Sequence, residues 1–130
     1  MALPTTESFV AAAEDQLGLA LPPWLRVRLM QANGGTLEAE GEYWELFSVP
    51  DTRDRKHITR SATHILGETA AAREWTGFPP QAIAIASNGG GDYLILLPDE
   101  QAPSRLHDRP FIWLHGVDEA PVQIDVPMPP

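Results

Sequence analysis

The 130-residue sequence contains no cysteine and no long hydrophobic run. The absence of cysteine excludes disulfide bonds, thiolate catalysis and cysteine-ligated zinc, and it favours a reducing compartment. No segment approaches the roughly 20 apolar residues that a membrane-spanning helix needs. Residues 1–9 lack the basic start of a secretory signal and contain Pro4 and Glu7. We therefore expect a cytoplasmic protein that does not cross a membrane.

Positive charge is also scarce, since 9 Lys and Arg residues face 18 Asp and Glu residues and give a net charge of -9. Lys56 is the only lysine. Nucleic-acid binding requires cations that displace counterions from phosphate, and anionic membranes attract basic segments. The composition therefore argues against both of these partners. It favours either a cationic partner or simple solubility.

The remaining composition is that of a globular protein. The sequence is 43% hydrophobic and contains four tryptophans, which agrees with a folded domain rather than with disorder. A chain of this length buries roughly two-thirds of its unfolded surface, which is enough for one core. We therefore predict a single domain over residues 1–130. The sequence leaves open whether it is a monomer or an edge-paired dimer.

The most informative segment, residues 78–98, reads FPPQAIAIASNGGGDYLILLP. Ile83 and Ile85 alternate with alanines, as in a buried strand, and Tyr93 to Leu97 is a second β-favouring run. The residues between them, 87–91, tolerate the positive φ angles of tight hairpins. This pattern predicts a hairpin at the centre of a sheet.

The N-terminal third predicts two helices. The first begins after a capping Thr5 or Thr6, places Phe9, Ala13 and Leu17 on one face, and ends at Gly18. The second begins at Pro22 and Pro23, where the fixed φ of proline is favourable. Its inner face carries Leu25, Leu29 and Ala32, and Asn33-Gly34-Gly35 ends it.

The rest of the chain predicts one further helix and more strands. Residues 36–39 and 43–49 predict two strands, and helical spacing across residues 54–69 predicts one helix whose inner face holds Ile58, Ala62, Ile65 and Thr69. Residues 70–76 fit either a helix extension or a loop. We predict a loop at 99–109, strands at 111–115 and 122–126, and a frayed tail at 128–130. Because helices and strands are segregated, the fold class is α+β with a mainly antiparallel sheet, on which the N-terminal helices and the mid-chain helix pack.

Three fragments occur in an order typical of one family. They are QLGLALPPW at 16–24, LMQANGG at 29–35, and FPPQAIAIA at 78–86 followed by Gly91-Asp92-Tyr93. The combination resembles the SMI1/KNR4 family, also called the SUKH superfamily, over nearly the whole chain. The positions that match the family pattern are those of its scaffold: Leu17, Gly18, Pro22, Gly34, Gly35, Pro79, Gly91 and Asp92.

The resemblance implies an α+β fold without known catalytic chemistry, and we expect no cofactor. Bacterial members of the family resemble immunity proteins that bind and neutralise polymorphic toxins, often nucleases. Related fungal modules act as regulatory binding proteins, so a module that binds the host's own proteins is the alternative. The toxin-binding surface varies between members and cannot be transferred residue by residue.

Catalytic and metal-binding patterns are weak. The glycines at 89–91 lack the Lys-Ser/Thr step of a phosphate loop, and the four histidines lack metal-ligand spacing. Ser61 and Ser87 lack a nucleophile-elbow context. We predict that Asp92 accepts N–H groups of the preceding glycine turn. A small hydrolase with an unrecognised site is an alternative from another class, because triad residues meet only in the fold.

Acidic clusters and one tryptophan are the predicted protein-binding residues. Glu38, Glu40 and Glu42 recur every two residues and would share one face of a strand. Such a row is either a solvated edge that prevents aggregation or a docking face for a basic partner. Trp75 lies in a poorly periodic segment and would be an interface anchor if exposed. The predicted set is Glu38, Glu40, Glu42, Glu45, Trp75, Asp99, Glu100, Asp118 and Glu119.

Overall fold

A six-stranded antiparallel sheet organises the chain in the computed structural model, which describes residues 2–126. The helices are α1 (Glu7–Leu17), α2 (Pro23–Gln31), α3 (Arg55–Arg60) and α4 (Ile65–Ala72). The strands are β1 (Thr36–Ala39), β2 (Glu42–Leu46), β3 (Ile83–Ser87), β4 (Tyr93–Leu96), β5 (Pro98–Asp99), β6 (Ala102–Leu106), β7 (Phe111–Trp113) and β8 (Val122–Gln123). The strand order is β1-β2-β3-β4-β7-β8, and β5 pairs with β6 separately. The predicted α+β class is confirmed.

The predicted hairpin of β3 and β4 is confirmed as the centre of the sheet. Ile83, Ala84, Ile85 and Ala86 are all buried, so both faces of β3 are covered, and α4 packs against it. Trp44 on β2 has no exposed surface and belongs to the same core. The two N-terminal helices are confirmed as well. Gly18 ends α1 with a φ of 74°, a conformation that glycine adopts without strain.

Two polar side chains complete the hydrogen bonding of buried backbone where strands stop pairing. β2 pairs with β3 at Glu45–Ser87 and Leu46–Ala86, and Phe47 donates its N–H to the Ile85 carbonyl at 2.7 Å. Further along β3, at Ala84, the Thr69 side chain supplies the hydrogen bonds. Its Oγ1 accepts from the N–H of Ala84 at 3.0 Å and donates to the same residue's carbonyl at 3.4 Å. Asn33 does the same for Val49, donating from Nδ2 to the carbonyl at 2.8 Å and accepting the N–H at Oδ1 at 2.9 Å.

The single helix predicted over residues 54–69 is wrong. The chain forms two helices, α3 and α4, separated by residues 61–64. The helix is interrupted because the backbone of Ser48 forms hydrogen bonds with this region. Ser48 donates its N–H to the carbonyl of Thr63 at 3.1 Å and accepts the N–H of Ile65 at 2.7 Å. New caps begin each helix: Asp54 accepts the N–H of His57, and His64 accepts that of Gly67.

The inner face predicted for that helix is only partly correct. Ile65 and Thr69 are buried, whereas Ile58 is 50% exposed and Ala62 is exposed. The polar loop predicted over residues 99–109 is also wrong, since β5 and β6 form a hairpin there. The strands predicted at 111–115 and 122–126 exist but are shorter, and the ambiguous segment 70–76 continues α4 to Ala72 before turning. The tail predicted at 128–130 lies outside the described residues.

No helix within residues 2–126 has the length and apolar character needed to cross a membrane.

A buried carboxylate fastens the N-terminus to the loop before α3. Asp51 is 1% exposed and accepts hydrogen bonds from the Thr5 hydroxyl at 2.8 Å and from Arg53 Nη2 at 2.6 Å. Its backbone N–H donates to Ser61 Oγ at 3.0 Å. Burial alone would raise the pKa of Asp51, but the bonds from Arg53 and Thr5 outweigh it and hold the pKa below its ordinary value.

Replacing this carboxylate by its neutral isostere, Asp51→Asn, is expected to lower the free energy of unfolding by about 2 kcal/mol at pH 7. Because folding depresses the pKa, the carboxylate contributes fully above the unfolded value of about 3.9 and loses its contribution as the pH falls through the folded value. Urea unfolding should therefore show a constant gap between wild type and variant from about pH 5 to 8 and a closing gap below about pH 4. Asp15→Asn, at an exposed position of α1, is the control. A gap that persists unchanged at acid pH would contradict the assignment.

Candidate functional site

Three connections emerge at the same end of the sheet. The register aligns Glu45 with Ser87, Ser87 with Tyr93, and Tyr93 with Trp113. Since neighbouring strands are antiparallel, the β1–β2 turn, the β3–β4 loop and the segment after β7 lie side by side. We call this region, formed by residues 38–42, 88–92 and 114–121, the acidic end.

The acidic end carries negative charge without nearby positive residues in its own strands and loops. Its carboxylates are Glu38, Glu40, Glu42, Asp92, Asp118 and Glu119. Segments 36–52, 74–104 and 110–130 contain neither lysine nor arginine. Among residues 2–126 no salt bridge involves these six carboxylates. All but Asp92 are exposed, so they produce a negative potential that reaches solvent.

Glu38, Glu40 and Glu42 do not form the row that a single strand would give them, because the chain turns at Glu40 and Gly41, between the two predicted strands. Glu40 has a φ of 53°, and Gly41 one of 75°, so the chain reverses there. Glu38 instead lies opposite Tyr43 in the hairpin register. Tyr43 is 72% exposed and is a surface aromatic that the sequence pattern does not predict.

Glu45 differs from the other predicted glutamates. It is exposed on β2 but lines a cavity of about 290 Å³ that Arg60 and Thr63 also line. It therefore lies in a mixed electrostatic environment, within β2 and beside Ser87 in the register. Alternation along β2 explains its exposure, since Trp44 and Leu46 point into the core.

Hydrogen bonds hold the three parts of the acidic end together. Asn88 accepts the N–H of Gly90 at Oδ1 at 2.9 Å, and its Nδ2 donates to Asp92 Oδ2 at 3.2 Å and to Glu42 Oε1 at 3.3 Å. Asp92 Oδ1 accepts the backbone N–H of His115 at 3.0 Å. The prediction that Asp92 caps the glycine turn is therefore wrong. Asn88 has that role, and Asp92 joins the central loop to the segment after β7.

Trp75 lies beside the acidic end and is 44% exposed. Its ring meets the His115 ring edge-on, with centroids 4.3 Å apart, and behind them the buried Trp113 packs against Phe78 at 5.1 Å. A cavity of about 330 Å³ opens next to these rings. We call it the Trp75 groove; its lining residues are Thr76, Gly77, Trp113, His115, Gly116, Val117 and Asp118.

Asp99 and Glu100 do not join the other predicted residues. They lie in the β5–β6 hairpin, which follows the far end of β4. Asp99 accepts the N–H of Gln101 at 2.9 Å and lines a cavity with Arg105 and Arg109. The structure thus places Glu38, Glu40, Glu42, Asp118, Glu119 and Trp75 together and separates this pair from them.

The residues weighed for catalysis have structural contacts. Ser61 Oγ donates to the carbonyl of His57 at 2.8 Å while it accepts the N–H of Asp51. The His57 ring pairs with Asp54 at 2.7 Å, and the His64 ring caps α4. Among residues 2–126 no group of three or more His, Asp or Glu side chains is arranged to hold a metal ion.

Four of the positions that match the family pattern, Pro22, Gly34, Gly35 and Gly91, lie directly before a helix or have positive φ angles. Gly34 and Gly35 have φ angles of 119° and 81°, which side-chain-bearing residues rarely adopt. Arg28 reaches across this turn and donates to the Gly34 carbonyl at 2.9 Å. Pro22 precedes the first residue of α2, and Gly91 has a φ of 95° beside His115.

Comparison with known proteins gives one match, to a family, and it covers nearly the whole chain. The sequence model described as the SMI1 / KNR4 family (SUKH-1) matches residues 4–124. No curated protein and no solved structure matches the chain. The match spans all four helices, all eight strands and the acidic end, so the Trp75 groove and the six carboxylates lie within it.

Proposed function

The chain belongs to the SMI1/KNR4 family (SUKH-1), an immunity-protein-like family, and from this premise we propose that it is a non-catalytic, cytoplasmic module that binds and neutralises a toxin. The proposed partner is a basic toxin domain, such as a nuclease, and the acidic end is the proposed contact surface. Binding there would block access of the toxin to its substrate. No cofactor takes part in this function.

The observation that supports the proposal is the clustering of uncompensated carboxylates next to exposed aromatic rings. Toxins that cleave nucleic acids need a positive surface for their phosphate-rich substrate. A negative surface that competes for this positive surface steers association and raises the on-rate. Trp75 and Tyr43 supply the large, rigid contact area that interface hot spots favour.

A direct binding measurement tests the proposal. Mixed with the toxin domain encoded beside it, the purified protein should form a complex with a dissociation constant below about 1 µM at low salt. The affinity should fall about tenfold or more as NaCl rises from about 0.05 to 0.5 M, because screening shortens the reach of the carboxylates. Isothermal titration calorimetry at several salt concentrations gives both quantities.

Two results would count against this assignment in different ways. If no complex forms at micromolar concentration, the proposed function fails. If a complex forms with salt-independent affinity, the function stands but the acidic end is not the contact surface. The alternative is a module that regulates the host's own proteins. Pull-down from the producing cell distinguishes it from toxin neutralisation, since a host protein would then be retained instead of the toxin.

A further inference from the structure

The Trp75 groove combines an apolar wall with one carboxylate at its rim. Trp113 and Val117 supply apolar surface, and Val117 is 43% exposed although it is aliphatic. Asp118 lies on the lining. The volume of about 330 Å³ is at the lower limit of ligand pockets. The groove is therefore suited to one long side chain or the tip of a loop, rather than to a folded peptide.

The charges around the groove indicate which kind of side chain it would bind. Glu74 precedes Trp75, and Glu119 follows Asp118, while segments 74–104 and 110–130 contain no lysine or arginine. An anionic occupant would meet Asp118 and no lysine or arginine among the lining residues, since Arg73, the cation nearest in sequence, donates to the Ala82 carbonyl at 3.4 Å. A purely apolar occupant would make no use of the Asp118 carboxylate. A cation with an apolar stem satisfies both parts of the groove.

We propose that the Trp75 groove receives one arginine side chain of a basic partner protein. The stem would lie on Val117 and Trp113, and the guanidinium would meet the Asp118 carboxylate and the exposed face of the aromatic pair Trp75–His115. A guanidinium fits this surface better than an ammonium does, because it is planar, less strongly hydrated and stacks on aromatic rings. The identity of the partner rests on the proposed function, whereas recognition of arginine by the groove does not.

The groove can be tested without the toxin. The probes are the blocked tripeptide acetyl-Gly-Arg-Gly-amide and its citrulline counterpart, which keeps the shape and loses the charge. In proton–nitrogen NMR spectra the arginine probe should shift the indole N–H of Trp75 and the amides of His115 and Val117 at millimolar concentration. The citrulline probe should bind at least about threefold more weakly, as expected for a cation over an aromatic surface.

Variants then assign the effect to this site. Trp75→Ala and Asp118→Asn should each weaken the arginine probe at least about threefold, while Asp99→Asn at the opposite end of the sheet should change it less than about twofold. Because Asp118 on the groove lining and Trp75 beside it are both exposed, the variants should retain the wild-type amide spectrum elsewhere. Equal affinities for the two probes, or chemical-shift changes that persist in Trp75→Ala, would overturn the proposal. Chemical-shift changes confined to residues outside the groove would also overturn it, including changes on an edge strand that pairs in a dimer.

The same variants separate this inference from the function. If Trp75→Ala and Asp118→Asn bind the toxin domain with wild-type affinity, the arginine site is wrong and the toxin-binding function stands. If the wild-type protein binds the arginine probe at the groove and forms no complex with the toxin domain, the function is wrong and the arginine site stands.

Discussion

Reversing two charges at the acidic end, Glu38→Lys with Glu40→Lys, is expected to lower the affinity for a basic toxin domain about tenfold at low salt. Both side chains are exposed and form no salt bridge among residues 2–126, so little folding energy depends on their charge. Most of the loss should be in the association rate, because exposed charges steer encounter more than they hold the complex. Stopped-flow mixing of the two proteins measures this rate.

The control carries the same change in net charge at other places. Asp15 on α1 and Glu100 in the β5–β6 turn are exposed and lie outside the acidic end. Asp15→Lys with Glu100→Lys should change the association rate less than about threefold. If both double variants slow association equally, the total charge of the protein matters and its position does not. The acidic end would then have no specific role in binding.

Elements with strong local signals could be predicted from the sequence. The β3–β4 hairpin combines β-favouring residues with a glycine-rich turn, and α1 and α2 have clear stop and start residues in Gly18 and Pro23. All of these signals act within a few residues, so a linear pattern contains them. The antiparallel α+β class then follows from the order of the elements.

The mid-chain errors have a different origin. Helical spacing across residues 54–69 is real, yet the backbone of Ser48 competes for the same stretch and pairs with Thr63 and Ile65. Ile58 therefore lies on a separate helix and remains half exposed. The sequence does not predict the β5–β6 hairpin, because Pro98 and Asp99 disfavour strands in isolation. A strand of only two residues depends on the neighbouring tertiary structure for its stability.

The sequence predicts which residue types form the candidate site but not how they are arranged in space. Acidic clusters and an isolated Trp75 are visible in the sequence, and most of them do meet at one end of the sheet. The register that excludes Asp99 and Glu100, and the bond from Asp92 to the His115 N–H at 3.0 Å, join residues that are far apart in the chain. No local pattern encodes such pairings.

The tertiary role of Asn33 cannot be predicted from its local sequence. In the sequence it belongs to a helix-stop signal, Asn33-Gly34-Gly35. In the structure it is 5% exposed and substitutes for a missing strand by bonding both the N–H and the carbonyl of Val49. The two glycines with positive φ allow the chain to turn immediately after this side chain is placed.

Asn33→Ala is accordingly expected to lower the free energy of unfolding by about 2–5 kcal/mol, because it leaves a buried N–H and a buried carbonyl of Val49 without partners. That is a large part of the total stability of about 5–15 kcal/mol for a domain. Urea unfolding followed by tryptophan fluorescence measures the change. Asn88→Ala is the matched control, since its bonds to Gly90, Asp92 and Glu42 are exposed or only partly buried, and it should cost about 1 kcal/mol or less. Equal losses in the two variants would show that the Asn33 side chain does not act as a substitute strand, and the turn geometry alone would then have to hold Val49 in place.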